Sequence, residues 1–142
     1  MADCLFCKIA NKEIFSYIVY ENEKVLCFLD ILPLARGHLL VIPKNHAENI
    51  LHLKEEDLTA VFKAAKTMTK KLFKALKPDG FTIGINHGKI SGQTIDHFHL
   101  HIIPRFKGDG GGSIHSVVKS SLAKNFLTEE LESVRVKIIK VK

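Results

Sequence analysis

The sequence predicts an α+β fold in which one long helix packs on a largely antiparallel sheet of five strands, with a further short or terminal helix. Five short segments rich in apolar and β-branched residues are separated by turn residues, as is typical of strands. One segment, residues 55–77, instead repeats its apolar residues with the period of a helix. Strands therefore dominate, which favours a layered sheet-and-helix architecture.

The first three strands are predicted in the N-terminal third of the chain. Residues 17–20 and 24–30 are separated by Glu21-Asn22-Glu23, and this spacing predicts a hairpin. Residues 38–42 form the third strand. It is bounded by Gly37 and Pro43, because a proline does not easily continue a regular ladder.

The long helix is predicted over residues 55–77. Its first turn is acidic and its last turns are rich in lysine, which matches the helix dipole at both ends. Pro78-Asp79-Gly80 ends it. The apolar face consists of Leu58, Val61, Phe62, Ala65, Met68, Leu72 and Leu76.

The remaining elements follow the long helix. Residues 81–86 and 96–103 are predicted as the fourth and fifth strands, separated by a glycine-containing loop over residues 87–93. The glycine run 108–112 predicts a flexible hinge, because no strand-to-helix frame surrounds it as in a phosphate-binding loop. Residues 128–140 predict a terminal helix with Thr128 as its cap and Leu131, Val134 and Ile138 on one face.

Length and composition describe an ordinary globular protein. The 142 residues fit a single domain over positions 1–142, and the hydrophobic and charged fractions are 46% and 25%. The net charge of +6 would attract nucleotides or nucleic acid, but two tyrosines and no tryptophan leave few platforms for stacking bases. The chain shows neither a leader peptide nor a membrane span, so we expect a cytoplasmic protein with no membrane partner.

Three histidines alternate with apolar residues at positions 97–103. In a strand, His97, His99 and His101 would share one face while the apolar residues between them enter the core. Cα atoms two residues apart on a strand are roughly 6.6 Å apart, and those four residues apart roughly 13 Å. Two neighbouring histidines could therefore share one ligand, whereas three could hardly surround one metal.

Paired imidazoles suit chemistry at phosphorus. A neutral imidazole is a good nucleophile near pH 7, and a covalent adduct divides one difficult displacement into two easier ones. Because its ordinary pKa is near 6.5, a neighbouring histidine can handle protons or bind phosphoryl oxygens. A serine hydrolase is disfavoured, because no Gly-x-Ser-x-Gly motif occurs.

The three cysteines do not form a disulfide framework. Cys27 lies in an apolar strand segment and is interpreted as a small buried hydrophobe. Cys4 and Cys7 form a Cys-x-x-Cys pair that could be half of a zinc site, a redox pair, or neither. The redox interpretation lacks a thioredoxin-like context, and the zinc interpretation needs two further ligands, for which eight histidines are available.

The run His97-Phe98-His99-Leu100-His101-Ile102-Ile103 resembles the signature of the histidine triad (HIT) family, in which three histidines alternate with apolar residues. The resemblance covers about residues 3–107, leaves 108–142 as a variable C-terminal segment, and is greatest to small bacterial members of the Hint, or purine nucleoside phosphoramidase, type. Ordered agreement over several blocks is more specific than one motif. The other blocks are Cys4-Leu5-Phe6-Cys7-Lys8-Ile9, Phe28-Leu29-Asp30-Ile31, residues 37–46, Gly92-Gln93-Thr94 and Pro104-Arg105.

The resemblance implies hydrolysis or transfer at the α-phosphate of purine nucleotide conjugates: phosphoramidates, acyl phosphate anhydrides or dinucleoside polyphosphates. His99 would be the nucleophile that forms a nucleotidyl-histidine, His101 would bind the phosphate, and Asp30 would hold the ribose hydroxyls. The base slot would consist of Phe6, Ile9, Phe28 and Ile31. The phosphate-side loop would consist of Asn86, Gly92, Gln93 and Thr94, where the glycine allows close approach and the hydroxyl and amide could donate.

The same resemblance implies a structural zinc, one per chain. Its ligands would be Cys4, Cys7, His46 and His97, a closed set of four. His38 would orient a triad histidine through a hydrogen bond. The other histidines match no family role and are expected at the surface; these are His52, His87 and His115.

The family also implies a homodimer whose sheet continues across the interface. Residues from Gly108 onward show no recognisable match, so the leaving group and the substrate preference stay open. The alternative function is a nucleotide-binding regulatory module with little turnover, against which the intact triad argues.

Overall fold

A computed structural model describes residues 3–118 and 128–141. The chain divides into two compact units, Met1–Gly111 and Gly112–Lys142. The boundary falls inside the predicted glycine run. The first unit contains the sheet and all of the site residues named above, so it is described first.

The sheet has five strands, and every neighbouring pair is antiparallel. Its spatial order is β1-β2-β3-β5-β4, which leaves β1 and β4 as the two edges. This confirms the predicted α+β class. The strands are β1 (Ile18–Glu21), β2 (Val25–Leu29), β3 (Leu39–Pro43), β4 (Gly80–Gly84) and β5 (Leu100–Arg105).

The predicted hairpin joins β1 and β2. The carboxamide oxygen of Asn22 accepts the backbone N–H groups of both Lys24 and Val25 at 2.9 Å. An asparagine side chain that bonds backbone two residues ahead mimics a turn, so the residue itself closes the link.

The long helix, α2 (Glu55–Leu76), covers one face of the sheet. It ends one residue before the predicted boundary, because Lys77 adopts a left-handed conformation and caps it. One residue of the predicted apolar face was placed wrongly: Phe62 is 48% exposed. The core on this side, here called the α2 face, contains Val25, Cys27, Leu39, Val41, Val61, Ala65, Met68, Phe98, Leu100 and Ile102.

A short helix that the sequence did not predict, α1 (Leu5–Ala10), lies against the opposite face of the sheet. Phe6 and Ile9 enter a second apolar cluster there with Leu26, Phe28, Leu40 and Ile42. Because strand residues alternate between faces, β2 and β3 supply both clusters. The sheet thus lies between α2 and α1, and the side bearing α1 is called the α1 face.

The second unit contains the predicted terminal helix, α3 (Thr128–Lys140). The residue before Thr128 lies outside the described residues, so the capping role of Thr128 stays a prediction. Leu131, Val134 and Ile138 are all more than half exposed. No helix in the described ranges is both long and apolar enough to cross a membrane.

Candidate active site and metal centre

The triad histidines stand where β5 begins. The predicted start of this strand was wrong: β5 starts at Leu100, so His97 and His99 precede it. The partner strand β3 ends at Pro43, which has no N–H to continue the ladder. The segment before Leu100 is held instead by the Phe98 N–H, which donates to the Ala47 carbonyl at 2.6 Å.

The alternation of faces nevertheless holds across the triad. Phe98 enters the core on the α2 face. On the α1 face, the ring of Phe6 lies edge-on to those of His97 and His99, with centroids 5.9 and 5.2 Å apart. The ring centroids of His99 and His101 are 5.0 Å apart. Neighbouring histidines therefore lie close enough to act on one ligand.

The backbone selects the tautomer of His99. Its Nδ1 lies 2.7 Å from the carbonyl oxygen of His97, and a carbonyl can only accept, so Nδ1 carries the proton and donates. In a neutral imidazole the other nitrogen then holds a lone pair. His99 is 5% exposed. It therefore presents Nε2 as a nucleophilic atom.

A chain of hydrogen bonds fixes His101 in the other tautomer. The Leu34 N–H donates to Nδ1 of His38 at 3.1 Å, so the proton of a neutral His38 sits on Nε2. That Nε2 lies 2.9 Å from Nδ1 of His101 and donates to it. His101 therefore carries its own proton on Nε2, which is buried and has no hydrogen-bond partner within residues 3–118 and 128–141. The result is a donor available to a bound anion.

Burial keeps this histidine pair neutral. Burial, with smaller contributions from His99 and His38, lowers the pKa of His101 to about 4. Burial also lowers the pKa of His38, although the Asp30 carboxylate, 3.6 Å from its Nε2, opposes that shift. At neutral pH the pair therefore consists of two uncharged imidazoles joined by one hydrogen bond.

The four predicted metal ligands come together. The ligand atoms of Cys4, Cys7, His46 and His97 all lie within 4.8 Å of one another. Nδ1 of His97 is 3.4 Å from the Cys4 sulfur and 3.5 Å from the Cys7 sulfur. The Cys7 sulfur is also 3.4 Å from Nδ1 of His46. Tetrahedral zinc, with bonds of about 2.3 Å to sulfur and about 2.05 Å to nitrogen, would separate such atoms by about 3.6 Å. The donor set fits zinc.

Protonation at this cluster is consistent with a metal site. Nε2 of His97 donates to the Pro43 carbonyl at 2.9 Å, which leaves the Nδ1 lone pair facing the sulfurs. Burial lowers the pKa of His97 to about 4, so it is neutral. Burial and the neighbouring Cys4 raise the pKa of the Cys7 thiol to about 11, so a metal would have to displace that proton.

A second group, Asp30, His38 and His101, also brings its ligand atoms within 4.8 Å of one another. The tautomer of His38 excludes a metal there in this arrangement. Because the Leu34 N–H occupies Nδ1 of His38, its Nε2 must keep its proton and cannot be a ligand. This group is a hydrogen-bonded relay.

The residues expected to bind base and ribose differ in exposure. Phe6, Ile9 and Phe28 are buried in the cluster on the α1 face, whereas Ile31 is 76% exposed. Asp30 follows β2, and its carboxylate accepts the Leu32 N–H at 2.9 Å while its other oxygen faces His38. The carboxylate therefore sits between the exposed loop and the triad relay.

The expected phosphate-side loop includes a short 3₁₀ turn, Lys89–Ser91. Gly92 has a φ of +91°, which favours glycine, and Thr94 is exposed. The amide of Gln93, which was expected to donate to phosphate, is already engaged within the protein. It is 6% exposed, and both of its amide hydrogens are donated to backbone carbonyls within the protein.

The remaining histidines and cysteine lie where the sequence predicted them. His52, His87 and His115 are exposed. Cys27 is fully buried, and burial raises the pKa of its thiol to about 12, so it is inert. Sequence reasoning missed the backbone groups of Leu34 and Pro43, because residue types alone do not show which ring nitrogen a backbone group faces.

Comparison with known proteins identifies related chains. The family described as HIT domain matches residues 11–108. An uncharacterized HIT-like protein of Methanocaldococcus jannaschii is 44% identical over 128 residues, covering 90% of this chain and 95% of that protein. The adenosine 5'-monophosphoramidase of Saccharomyces cerevisiae is 42% identical over 104 residues, covering 73% of this chain and 63% of the yeast protein. The crystal structure of a HIT-family protein from Bacillus subtilis matches with a TM-score of 0.87 at 38% identity, over 99% of this chain and 97% of that chain.

Proposed function

This chain belongs to the HIT family, and on that premise we propose that it hydrolyses or transfers nucleoside monophosphates from phosphoramidates and related nucleotidyl conjugates, including dinucleoside polyphosphates. The named activity of the yeast relative, an adenosine 5'-monophosphoramidase, supports the reaction class. Purine nucleotides are the proposed substrates. The observation that carries the proposal is the tautomer of His99, whose Nδ1–H is bonded to the His97 carbonyl and leaves Nε2 free to attack.

The proposed reaction has two displacements. Nε2 of His99 attacks the α-phosphorus, a P–Nε2 bond forms, and the bond to the leaving nitrogen or oxygen breaks as that atom takes a proton from solvent. Water then attacks the same phosphorus and loses a proton to solvent, and the P–Nε2 bond breaks, which releases the nucleoside monophosphate and restores the imidazole. Because Nδ1 donates to a carbonyl throughout, the positive charge on the adduct is stabilised without moving the ring.

His101 and Asp30 have separate proposed roles. The Nε2–H of His101 has no partner within residues 3–118 and 128–141, so a phosphoryl oxygen beside His99 would satisfy it. His38 keeps that proton in place by donating to the opposite nitrogen. The Asp30 carboxylate would accept hydrogen bonds from the ribose hydroxyls.

We further propose that Cys4, Cys7, His46 and His97 hold one zinc per chain. Four protein ligands leave no open position, so the metal would fasten α1 to the triad segment and take no part in the reaction. The site would supply stability, because a ligand that binds only the folded chain stabilises it. His97 is thereby excluded from phosphate chemistry.

The sheet offers two edges for the proposed homodimer. Among the residues that the structure describes, β1 and β4 each pair with a strand on one side alone, so either could pair with a second copy. Light scattering on purified protein tests this: a mass of twice 15.9 kDa supports the dimer, and a monomer at all concentrations refutes it.

Turnover and trapping together test the reaction. Purified protein should convert adenosine 5'-phosphoramidate to AMP, and acid-labile AMP should be recovered on His99 by mass spectrometry after rapid quenching. Tight nucleotide binding without turnover would favour the regulatory module instead. An adduct on another residue would overturn the assignment of His99.

A further inference from the structure

Gln93 is one of the few polar side chains in the core of the first unit. It is 6% exposed, and both the oxygen and the nitrogen of its carboxamide form hydrogen bonds. The oxygen accepts the Gly88 N–H at 2.9 Å. The nitrogen donates to the carbonyl of Glu48 at 2.7 Å and to that of Ile95 at 3.1 Å. An amide has two hydrogens to donate, so none is left for a ligand.

The two carbonyls to which Gln93 donates lie close in sequence to the two histidines of the metal cluster. Glu48 is two residues after His46, and Ile95 is two residues before His97. One side chain therefore binds both of the segments that carry the histidines of the cluster. Its third bond, accepted from the Gly88 N–H, connects the same side chain to the start of the phosphate-side loop.

The neighbouring hydroxyl of Ser91 lacks this connection. Ser91 also bonds to backbone carbonyls, but both belong to its own loop, at His87 and Gly88. It does not reach the segment that carries His46. Removing either side chain would disturb the loop, but only the loss of Gln93 would also remove side-chain bonds between the segments of His46 and His97, which the backbone bond from Phe98 to Ala47 would still join.

We propose that Gln93 is a positioning residue that sets the separation of His46 and His97 at the metal centre, and that its side chain is not a phosphate ligand. This inference rests on the zinc site proposed above. Groups that orient metal ligands through hydrogen bonds are worth about 10- to 100-fold in metal affinity. Gln93 would act one step further out, through the backbone that carries the ligands.

The test compares Gln93→Ala with Ser91→Ala as the matched control. Zinc affinity is measured by competition with a chromophoric chelator, and ligand geometry by the absorption of the cobalt-substituted protein in its thiolate and visible bands. We expect Gln93→Ala to lose about 10-fold or more in zinc affinity and to change the cobalt spectrum. Ser91→Ala should match the wild type in both.

A phosphate role predicts a different result. If Gln93→Ala keeps the zinc affinity and cobalt spectrum of the wild type while KM or kcat for adenosine 5'-phosphoramidate worsens, the proposal is overturned. Gln93→Met, which keeps the length of the side chain without its polar atoms, is the second variant if alanine fails to fold; wild-type zinc affinity in it would be equally fatal. If the wild-type protein binds no zinc, the zinc site itself is refuted. That result is distinct from failure of the Gln93 proposal, in which the wild type binds zinc and the variant binds it equally well.

Discussion

Two clusters flank His99 on the α1 face, and they use histidine in opposite ways. On one side, His97 donates from Nε2 to the Pro43 carbonyl and offers the Nδ1 lone pair to two sulfurs. On the other side, His38 accepts the Leu34 N–H at Nδ1 and donates from Nε2 to His101. The first cluster fits a metal and the second a proton-holding relay.

The difference shows that the backbone decides what an imidazole does. A carbonyl beside a ring nitrogen requires a proton there, and an N–H requires a lone pair. Burial lowers the pKa of His97 and of His101 alike, each to about 4, so pKa does not distinguish the two sides. The tautomer does, so substitutions on the two sides of His99 should have different consequences.

Removing the residue between the clusters should have the largest effect. His99→Ala or His99→Gly should lower turnover by at least about 10³-fold, because nothing else supplies the covalent step. Nucleotide affinity, measured by calorimetry, should persist, since both flanking clusters remain. Near-normal hydrolysis in either variant would show that His99 is not the nucleophile.

Loss of the thiols should affect stability more than rate. The double variant Cys4→Ser, Cys7→Ser should contain no zinc by elemental analysis and melt at a lower temperature than the zinc-loaded wild type. Cys27→Ala is the control, because it alters a buried cysteine outside the cluster and should retain one zinc per chain. Complete loss of hydrolysis in a folded, zinc-free variant would instead point to a catalytic metal.

On the relay side, Asp30→Ala should weaken substrate binding without stopping the reaction. Losing two charge-assisted hydrogen bonds to ribose costs on the order of 2 to 4 kcal/mol, or about 30- to 800-fold in affinity. KM should therefore rise far more than kcat falls. An unchanged affinity for AMP would refute the ribose role and leave Asp30 its bond from the Leu32 N–H and its contact with His38.

The smallest effect concerns pH and His101, which faces His99, His38 and Asp30. Its folded pKa of about 4 lies below the ordinary 6.5, so above pH 6.5 it is neutral in both states. As pH falls from 6.5 to 4 the unfolded chain gains a proton that the folded chain resists, and the unfolding free energy decreases. His101→Asn should therefore lose less melting temperature over this range than the wild type. His52→Ala, an exposed control, should follow the wild-type curve.

Much of this fold was predictable, because local patterns specify it. The apolar period and end signals placed α2 within one residue of its observed end, and the Glu21-Asn22-Glu23 link placed the hairpin. The start of β5 was misplaced, because it depends on where the partner strand meets Pro43. Helix α1 was missed for a related reason: six residues are too few for a periodic signal.

The candidate site was likewise predicted only in part from the sequence. The residue types of the metal cluster and triad were identifiable from motifs, and the four metal-cluster residues do converge. What motifs could not give was the protonation of each ring, which depends on the backbone group that faces it: the nearby His97 carbonyl for His99, the nearby Leu34 N–H for His38 and the distant Pro43 carbonyl for His97. Gln93 illustrates the limit: its place in the loop was predicted, but its burial and its bond to Glu48, 45 positions away, belong to the tertiary structure.

The contact between the sulfur of Cys4 and Nδ1 of His97 joins residues 93 positions apart, nearly the full length of the first unit. Contacts this distant form late, because the intervening chain must first be ordered. During synthesis the N-terminus emerges first, so the Cys4 thiol would wait for His97 until the end of the sheet was made, whereas His46, a second partner of Cys7, would already be present. A nascent chain stopped before residue 97 would therefore carry only three of the four proposed metal ligands.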